Sequence, residues 1–174
     1  TPDTTFTAQS LQKCNLTVHV STKLNRSHLV HGKEALILPC LSRSDRDTTG
    51  GMPQFISCEN SMGVVQQSKG MLKPISEQLL SEPEIVCRLA MATLGPQSKV
   101  NWGKYIVNYD LIRDDIEKTI SGFDQYNARV RLPAGFYLPN CNRDQTFDTS
   151  SKKAQFNIAE TSSFLLAKDE LMMM

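Results

Sequence analysis

The sequence predicts an α/β fold with a mostly parallel sheet, flanking helices and an irregular extension toward the C-terminus. Two short apolar runs, residues 16–20 and 35–39, have the composition of strands that are buried on both faces of a parallel sheet. Segments with helical patterns alternate with these runs, as in folds that are built from parallel strands. After residue 122, prolines and asparagines interrupt every helical period, so an irregular extension is expected there.

The first forty residues predict two helical pieces beside the two strands. A short helix is expected over residues 7–13, with Thr7 as its N-cap. Residues 25–33 are expected to form one or two helical turns that Gly32 ends. The polar segment 41–53, which contains two adjacent glycines and ends in proline, predicts a loop.

The middle of the chain predicts two short strands and then a well-marked helix. The strands are expected at residues 54–60 and 63–70, since glycines bracket the second one. The helix begins after Ser81, which can cap it, and Glu84 stands where a capping box requires an acid. A proline lies between them in the first turn, where its missing N–H has no cost, and Gly95 ends the helix.

A second helix is predicted over residues 101–121, with Gly122 as its C-cap. Its apolar side chains recur every three or four positions and predict a core-facing stripe without chemistry of its own. The members of the stripe are Trp102, Ile106, Tyr109, Ile112, Ile116 and Ile120.

The chain is divided at this point into a predicted α/β core, residues 1–122, and a connector, residues 123–174. Within the connector, residues 152–158 predict one strand and residues 159–168 predict a polar linker.

Composition excludes several classes of function. A net charge of +1 gives no electrostatic basis for binding nucleic acid or an anionic membrane, and no stretch approaches the roughly 20 apolar residues of a membrane span. Five widely spaced cysteines favour a reduced, cytoplasmic setting over a disulfide framework. The chain lacks an initiator Met and ends in an apolar run, so we interpret its 174 residues as a piece of a longer chain.

A dense polar turn follows the first predicted strand and is the strongest candidate site. Ligands of open α/β sheets lie beyond the carboxyl ends of the strands, and hydroxyls, amides and cations there can hold phosphate oxygens. The alternative is a solvated loop in which a serine or asparagine only caps a helix. Neither GxGxxG nor GxxxxGK[ST] occurs. The candidate residues are Ser21, Thr22, Lys23, Asn25 and Arg26.

Other reactive side chains have simpler structural interpretations. His28 and His31 could share a metal on a helix, but no second ligand pair accompanies them. The cysteines lack a spacing to histidine that would predict a nucleophile, and the Asp114-Asp115 pair is typical of a solvated helix face. We therefore assign no catalytic and no metal-binding residue.

The chain resembles molybdopterin-dependent oxidoreductases of the formate dehydrogenase type, and most closely the formate dehydrogenase-like alpha subunits. LTVHVSTKLNRSHLVHGKEALILPC carries the most specific likeness. SCENSMGVVQQSKGMLKP, SEPEIVCRLAMATLG and FDTSSKKAQFNI support it. The likeness covers most of residues 16–158 and marks the chain as an internal segment of such a protein.

This resemblance implies a Rossmann-like core, followed by a connector that leads to a C-terminal cofactor-binding barrel beyond this stretch. It implies bis-molybdopterin guanine dinucleotide with molybdenum, a small-molecule substrate, and an iron–sulfur cluster elsewhere in the parent chain. An electron-transfer partner protein is compatible with that chemistry. Ser21 falls where many members have Asp, and Asn25 where they have Thr. Lys23 and Arg26 would lie beside the diphosphate.

We thus predict a segment of a molybdenum oxidoreductase whose polar turn forms part of the cofactor wall. The catalytic residues of the family fall outside this stretch, so the chain alone is expected to be inactive. The alternative from another class is a non-enzymatic α/β module whose turn binds a phosphorylated ligand or a protein partner.

Overall fold

The computed structural model describes residues 3–159 and 167–169. They belong to two compact units, Thr1–Leu138 and Pro139–Met174. The predicted division of the parent into a core and a connector at residue 122 stays a prediction.

The chain begins with a short helix, α1 (Thr4–Leu11). Its N-cap is Asp3, whose carboxylate accepts a hydrogen bond from Phe6 N at 2.8 Å. The predicted cap at Thr7 is wrong, because the Thr7 hydroxyl instead donates to the Asp3 carbonyl within the first turn. An aspartate side chain satisfies an otherwise unpaired N–H of the first turn, so the helix begins three residues earlier.

The first sheet is a parallel pair, β1 (Leu16–Ser21) and β2 (Glu34–Pro39). Their register runs from Leu16 opposite Glu34 to Ser21 opposite Pro39. A 3-10 turn, Arg26–Leu29, lies between them where helical turns were predicted. The predicted parallel pairing of these two strands is confirmed.

The expected burial of this pair on both faces is wrong for the described residues. Leu36 is 50% exposed and Ile37 is 47% exposed. Successive strand residues point to opposite faces, so both faces of the pair are in contact with solvent.

The second sheet is antiparallel and contains β3 (Ile56–Glu59), β4 (Val64–Ser68) and β5 (Phe136–Tyr137), in that order. Asn60 and Gly63 produce this arrangement. The Asn60 carboxamide accepts two backbone N–H groups of the turn, and Gly63 adopts φ 75°. So short a connection can join only antiparallel strands. The α/β class is confirmed, whereas the described strands are not mostly parallel.

The predicted capped helix is confirmed as α2 (Glu82–Leu94). Ser81 Oγ accepts from Glu84 N at 3.3 Å, and the helix ends at Gly95, whose φ of 58° is readily available to glycine. The Glu84 carboxylate pairs with Arg88 at 2.6 Å.

The single helix predicted over residues 101–121 is wrong, because two helices occupy this region, α3 (Trp102–Val107) and α4 (Asp110–Thr119). Gln54 holds the break between them. Its Oε1 accepts from Tyr109 N at 2.7 Å, and its Nε2 donates to the Ile106 carbonyl at 3.1 Å. The side chain thus satisfies backbone groups that a continuous helix would pair internally.

The hydrophobic core lies between the antiparallel sheet and a one-turn helix, α5 (Tyr126–Arg129). Val130 directly follows α5 and is fully buried. The core therefore includes residues beyond position 122. Its buried members are Phe55, Val65, Tyr126, Val130 and Phe136.

The second unit contains a one-turn helix, α6 (Cys141–Asp144), that Asn140 caps. The strand predicted at residues 152–158 is wrong, since the described chain has no regular structure there. Phe156 and Ile158 are almost fully exposed, so this segment has no packing that would stabilise a strand. Most of the predicted linker, residues 160–166, lies outside the described residues.

Candidate cofactor-binding site

The polar turn after β1 is shaped by its own side chains. Ser21 Oγ donates to the Lys23 carbonyl at 2.6 Å, which folds the chain back at the end of the strand. Asn25 Oδ1 accepts from Ser27 N at 2.9 Å and also bonds the Ser27 hydroxyl. Ser21 Oγ and Asn25 Oδ1 therefore stabilise the turn, while the N–H groups of the Asn25 side-chain amide stay available as donors.

His28 completes a capping box at this turn. Its Nδ1 accepts a hydrogen bond from Asn25 N at 3.0 Å. Its Nε2 is buried and has no hydrogen-bond partner in the described chain. The ring packs against His19 with centroids 4.9 Å apart. This histidine orients the turn.

Three candidate side chains are exposed and available to a ligand: Thr22, Lys23 and Arg26. Within residues 3–159 and 167–169, their side chains have no hydrogen bond or ion pair. The Thr22 hydroxyl and the Lys23 and Arg26 cations can therefore donate hydrogen bonds to phosphate oxygens.

Thr22 lines a cavity of about 560 Å³. Ser42, Arg43 and Ser44 line the same cavity and follow the carboxyl end of β2. Since β1 and β2 are parallel, their carboxyl ends lie side by side and bring two polar segments to one opening. The structure thus joins part of the predicted turn to a second polar segment.

Sequence reasoning missed this second segment. The available signal was that residues 42–44 follow the second predicted strand, as the turn follows the first. Arg43 Nε donates to Ser68 Oγ at 3.2 Å, which anchors the guanidinium on β4. Asp45 and Asp47 also line the cavity, so its charge is mixed.

The first residues of α2 form another part of the cavity lining. Leu41 N donates to the Leu80 carbonyl at 2.9 Å, so the chain leading into α2 runs beside the extension of β2. Ser81 then bonds the hydroxyl of Tyr109 in the interior. Burial raises the pKa of Tyr109, so this phenol is a neutral structural group at ordinary pH.

The alternative reactive groups are not assembled into a site. His31 Nδ1 lies 2.7 Å from the Gly32 carbonyl, whereas His28 packs on His19, so the two histidines have separate neighbours. Burial raises the pKa of the Cys40 thiol, and a nearby glutamate adds to that effect. Across the described part of the chain, no three side chains of metal-ligating type come together.

The chain is similar to several curated proteins. It is 52% identical over 159 residues to uncharacterized oxidoreductases of Mycobacterium tuberculosis and Mycobacterium bovis, and 43% identical over 155 residues to Protein YdeP of Escherichia coli. The alignments cover 91% and 89% of this chain but only 20% of each relative. The chain thus spans about a fifth of the length of the curated relatives it matches.

No family model matches the sequence, and no solved structure matches the chain. Among the described residues, no helix has both the length and the apolar character needed to cross a lipid bilayer.

Proposed function

We propose that this chain is a segment of a larger redox enzyme, a molybdenum oxidoreductase of the formate dehydrogenase-like type. Its polar turn and the adjoining cavity would form part of the wall that holds bis-molybdopterin guanine dinucleotide. The relatives named oxidoreductases support a redox parent, and their length supports a larger protein. The observation that carries the proposal is that Thr22 lines a cavity at the joined carboxyl ends of β1 and β2.

The donor set fits a nucleotide diphosphate. Thr22, Ser42 and Ser44 offer hydroxyls, and Arg43 offers a guanidinium beside them. A volume of about 560 Å³ lies in the range of about 300–1,000 Å³ that small-molecule sites occupy, which suits one nucleotide arm of the cofactor.

The cavity also carries groups that suit the guanine base. Ser21, which lies beside the cavity and not in its lining, has a hydroxyl where many members of the family have a carboxylate, so it cannot accept both N–H groups of guanine as a carboxylate does. Asp45 and Asp47 line the cavity, and either carboxylate would accept a guanine N–H group through its second oxygen. Each uses one oxygen in a local turn, since Asp45 Oδ2 accepts from Ser42 N and Asp47 Oδ1 accepts from Thr49 N.

In this proposal the residues of the chain bind and orient the cofactor. When bound, the molybdenum and its pterins supply the two-electron chemistry. Lys23, Arg26 and Arg43 would neutralise the diphosphate, and Thr22 would donate a hydrogen bond to it. Asn25 would maintain the turn that carries Thr22, Lys23 and Arg26. The iron–sulfur cluster, the metal ligand and the substrate site belong to other parts of the parent.

The test is the cofactor content of the full-length protein that carries this chain. Lys23→Ala combined with Arg26→Ala removes two charge-assisted contacts of about 1.5 kcal/mol each, so the affinity should fall roughly 150-fold. Molybdenum would be counted by mass spectrometry and GMP after acid hydrolysis, and both should decrease together. The matched control is Lys13→Ala with Lys33→Ala, two exposed cations outside the turn.

Equal molybdenum and GMP in both double variants would contradict the role of the turn. The alternative binding module predicts a different pattern, in which the wild-type protein contains no molybdenum but gains thermal stability from GDP. Lys23→Ala with Asn25→Ala should abolish any such gain in the 174-residue chain.

A further inference from the structure

A second cavity borders the segment that follows β2. Ser42 and Ser44 line the cavity assigned above to the cofactor, whereas Arg46 and Thr48 line a different cavity of about 530 Å³. In the described chain the two cavities share only Leu41. We call the cavity beside Arg46 the second cavity. Its volume lies within the range of about 300–1,000 Å³ that small-molecule sites occupy.

Two backbone hydrogen bonds frame the second cavity. Arg46 N donates to the Leu72 carbonyl at 2.7 Å, and Leu41 N donates to the Leu80 carbonyl at 2.9 Å. The chain between these two carbonyls, residues 73–79, is therefore tied at both ends to the segment that follows β2. A loop that is anchored in this way gives a preformed cavity, as is usual for small-molecule sites. The loop supplies five lining residues: Lys73, Pro74, Ser76, Glu77 and Leu79.

The hydrogen-bond donors of the second cavity are largely free to bind a ligand. Within residues 3–159 and 167–169, the Lys73 ammonium and the Thr48 hydroxyl have no hydrogen bond or ion pair. Arg46 uses one of its five N–H groups, since its Nη2 donates to the Met71 carbonyl at 3.4 Å. Lysine and arginine side chains only donate and are positively charged, so these groups suit the oxygens of an anion.

The charges around the second cavity favour a singly charged anion. Glu84 lines the cavity and is buried, but Arg88 pairs with it at 2.6 Å and Thr49 donates to it at 3.3 Å. Glu77 has no ion-pair partner among the described residues, so it offsets one of the two cations of the cavity. Two positive charges and one negative charge leave +1. One carboxylate balances this charge, whereas a phosphate monoester carries about −1.5 to −2 and exceeds it.

Aliphatic side chains form much of the remaining lining. Leu41, Leu79 and Leu80 are half-buried and contact the cavity, and Pro74 is part of the same lining. Covering apolar surface that water now contacts is favourable. A ligand that fits the whole cavity therefore has an aliphatic body beside its anionic group.

We propose that the second cavity binds a small aliphatic monocarboxylate. The carboxylate accepts hydrogen bonds from Arg46, Lys73 and Thr48, and the hydrocarbon chain packs on the leucines of the lining. The site is distinct from the proposed cofactor site, because Arg43 is the cation in the lining of that other cavity. The inference therefore does not depend on which cofactor the full-length protein binds.

Equilibrium dialysis of the full-length protein with radiolabelled hexanoate tests the inference. Hexanoate has both the carboxylate and the aliphatic body, acetate lacks the body, and hexylamine reverses the charge. As unlabelled competitors, acetate and hexylamine should each be at least about tenfold weaker than hexanoate itself.

Variants of the two cations locate the binding site. Arg46→Gln combined with Lys73→Gln should weaken hexanoate binding on the order of 100-fold, because two charge-assisted hydrogen bonds are lost. Lys69→Gln combined with Lys99→Gln is the matched control, since both lysines are exposed and lie outside the lining of the second cavity. The control changes the net charge equally and should leave the hexanoate affinity within about threefold of wild type.

Equal hexanoate affinity in the two double variants would overturn the inference, and so would acetate or hexylamine competing as strongly as hexanoate. Absence of binding at about 10 mM hexanoate, as when another part of the polypeptide fills the cavity, would also overturn it. Should the Arg46→Gln and Lys73→Gln protein fail to fold, Lys73→Gln alone removes one contact of an exposed side chain and should weaken binding about tenfold. An unchanged affinity in that single variant would count against the site.

Discussion

The buried guanidinium of Arg113 joins three parts of the larger unit, so its removal should be costly. Arg113 is only 4% exposed. Its Nε donates to Asn127 Oδ1 at 2.7 Å, its Nη1 donates to the Phe55 carbonyl at 3.1 Å, and its Nη2 bonds the Asp110 carboxylate. The guanidinium also lies 4.1 Å from the centroid of the Phe55 ring. One side chain thus ties α4 to the start of β3 and to α5.

The loss can be worked out for Arg113→Met, which keeps an apolar stem of similar length. Asp110 is one-third exposed and stays paired with Arg131 at 2.7 Å, so its charge is not left unpaired. The Phe55 carbonyl and the Asn127 amide each lose a charge-assisted donor, and the ring contact is lost as well. Together these contacts are worth about 3 kcal/mol, roughly a 150-fold change in the folding equilibrium.

Urea unfolding of the 174-residue chain measures this change through the fluorescence of Trp102, its single tryptophan. If the free energy of unfolding decreases by about 2 kcal/mol per molar urea, the urea concentration at the unfolding midpoint should fall by about 1.5 M. Arg131→Met is the control, since that side chain is 43% exposed and shares Asp110, and about 0.5 M is expected for it. A midpoint for Arg113→Met no lower than that of the control would refute the reasoning.

Three further outcomes are expected. The Tyr105 hydroxyl bonds Asp115 and, with Lys118 and Lys104, lowers the pKa of Asp115 to about 2, so Tyr105→Phe should raise that pKa in an NMR titration. The folded pKa of Asp115 lies below the ordinary 3.8, so the contacts of this carboxylate stabilise the folded chain above pH 3.8, and that stabilisation is lost as the pH falls through 2. A pKa of Asp115 that is unchanged in Tyr105→Phe would contradict this assignment. Gly70→Ala should destabilise the chain by about 2 kcal/mol or more in the same urea assay, because an added Cβ would lie 1.9 Å from a backbone oxygen, and wild-type stability would disprove that contact. The purified 174-residue chain should show no oxidoreductase turnover with formate and a dye acceptor, and measurable turnover free of full-length enzyme would count against its role as a segment.

Local signals in the sequence were enough to predict α2. Its cap, its proline and its terminal glycine all act within a few residues, so Ser81 and Gly95 define the helix without help from the rest of the chain. The parallel pairing of β1 and β2 was also predictable, since each apolar run is short and bounded by polar segments.

Features that depend on distant residues were not predictable. The break between α3 and α4 depends on Gln54, which lies 55 residues before Tyr109 in the sequence. Its side-chain oxygen accepts from Tyr109 N in place of the backbone carbonyl that a continuous helix would supply. Arg113 was also missed, because a charged residue inside an amphipathic pattern is normally assigned to the solvated face. Its burial requires acceptors on Phe55 and Asn127 that only the folded chain brings to it.

The candidate site shows the same division between local and long-range information. The turn at Ser21 and Asn25 could be recognised from its polar composition, and its internal hydrogen bonds depend on neighbours close in sequence. Arg43 joins the site only because β1 and β2 are parallel, a relation between residues that are 18 positions apart in the sequence. The burial expected for β1 and β2 was inferred from their apolar composition. Composition shows that a strand is suited to burial but not which other segment would cover it.

A structure of the full-length protein purified with its cofactor tests the central claim most directly. The account predicts a guanine dinucleotide with diphosphate oxygens within hydrogen-bonding distance of Thr22 and Arg43. A cavity beside Thr22 that is filled by protein side chains, with the cofactor held elsewhere, would contradict it.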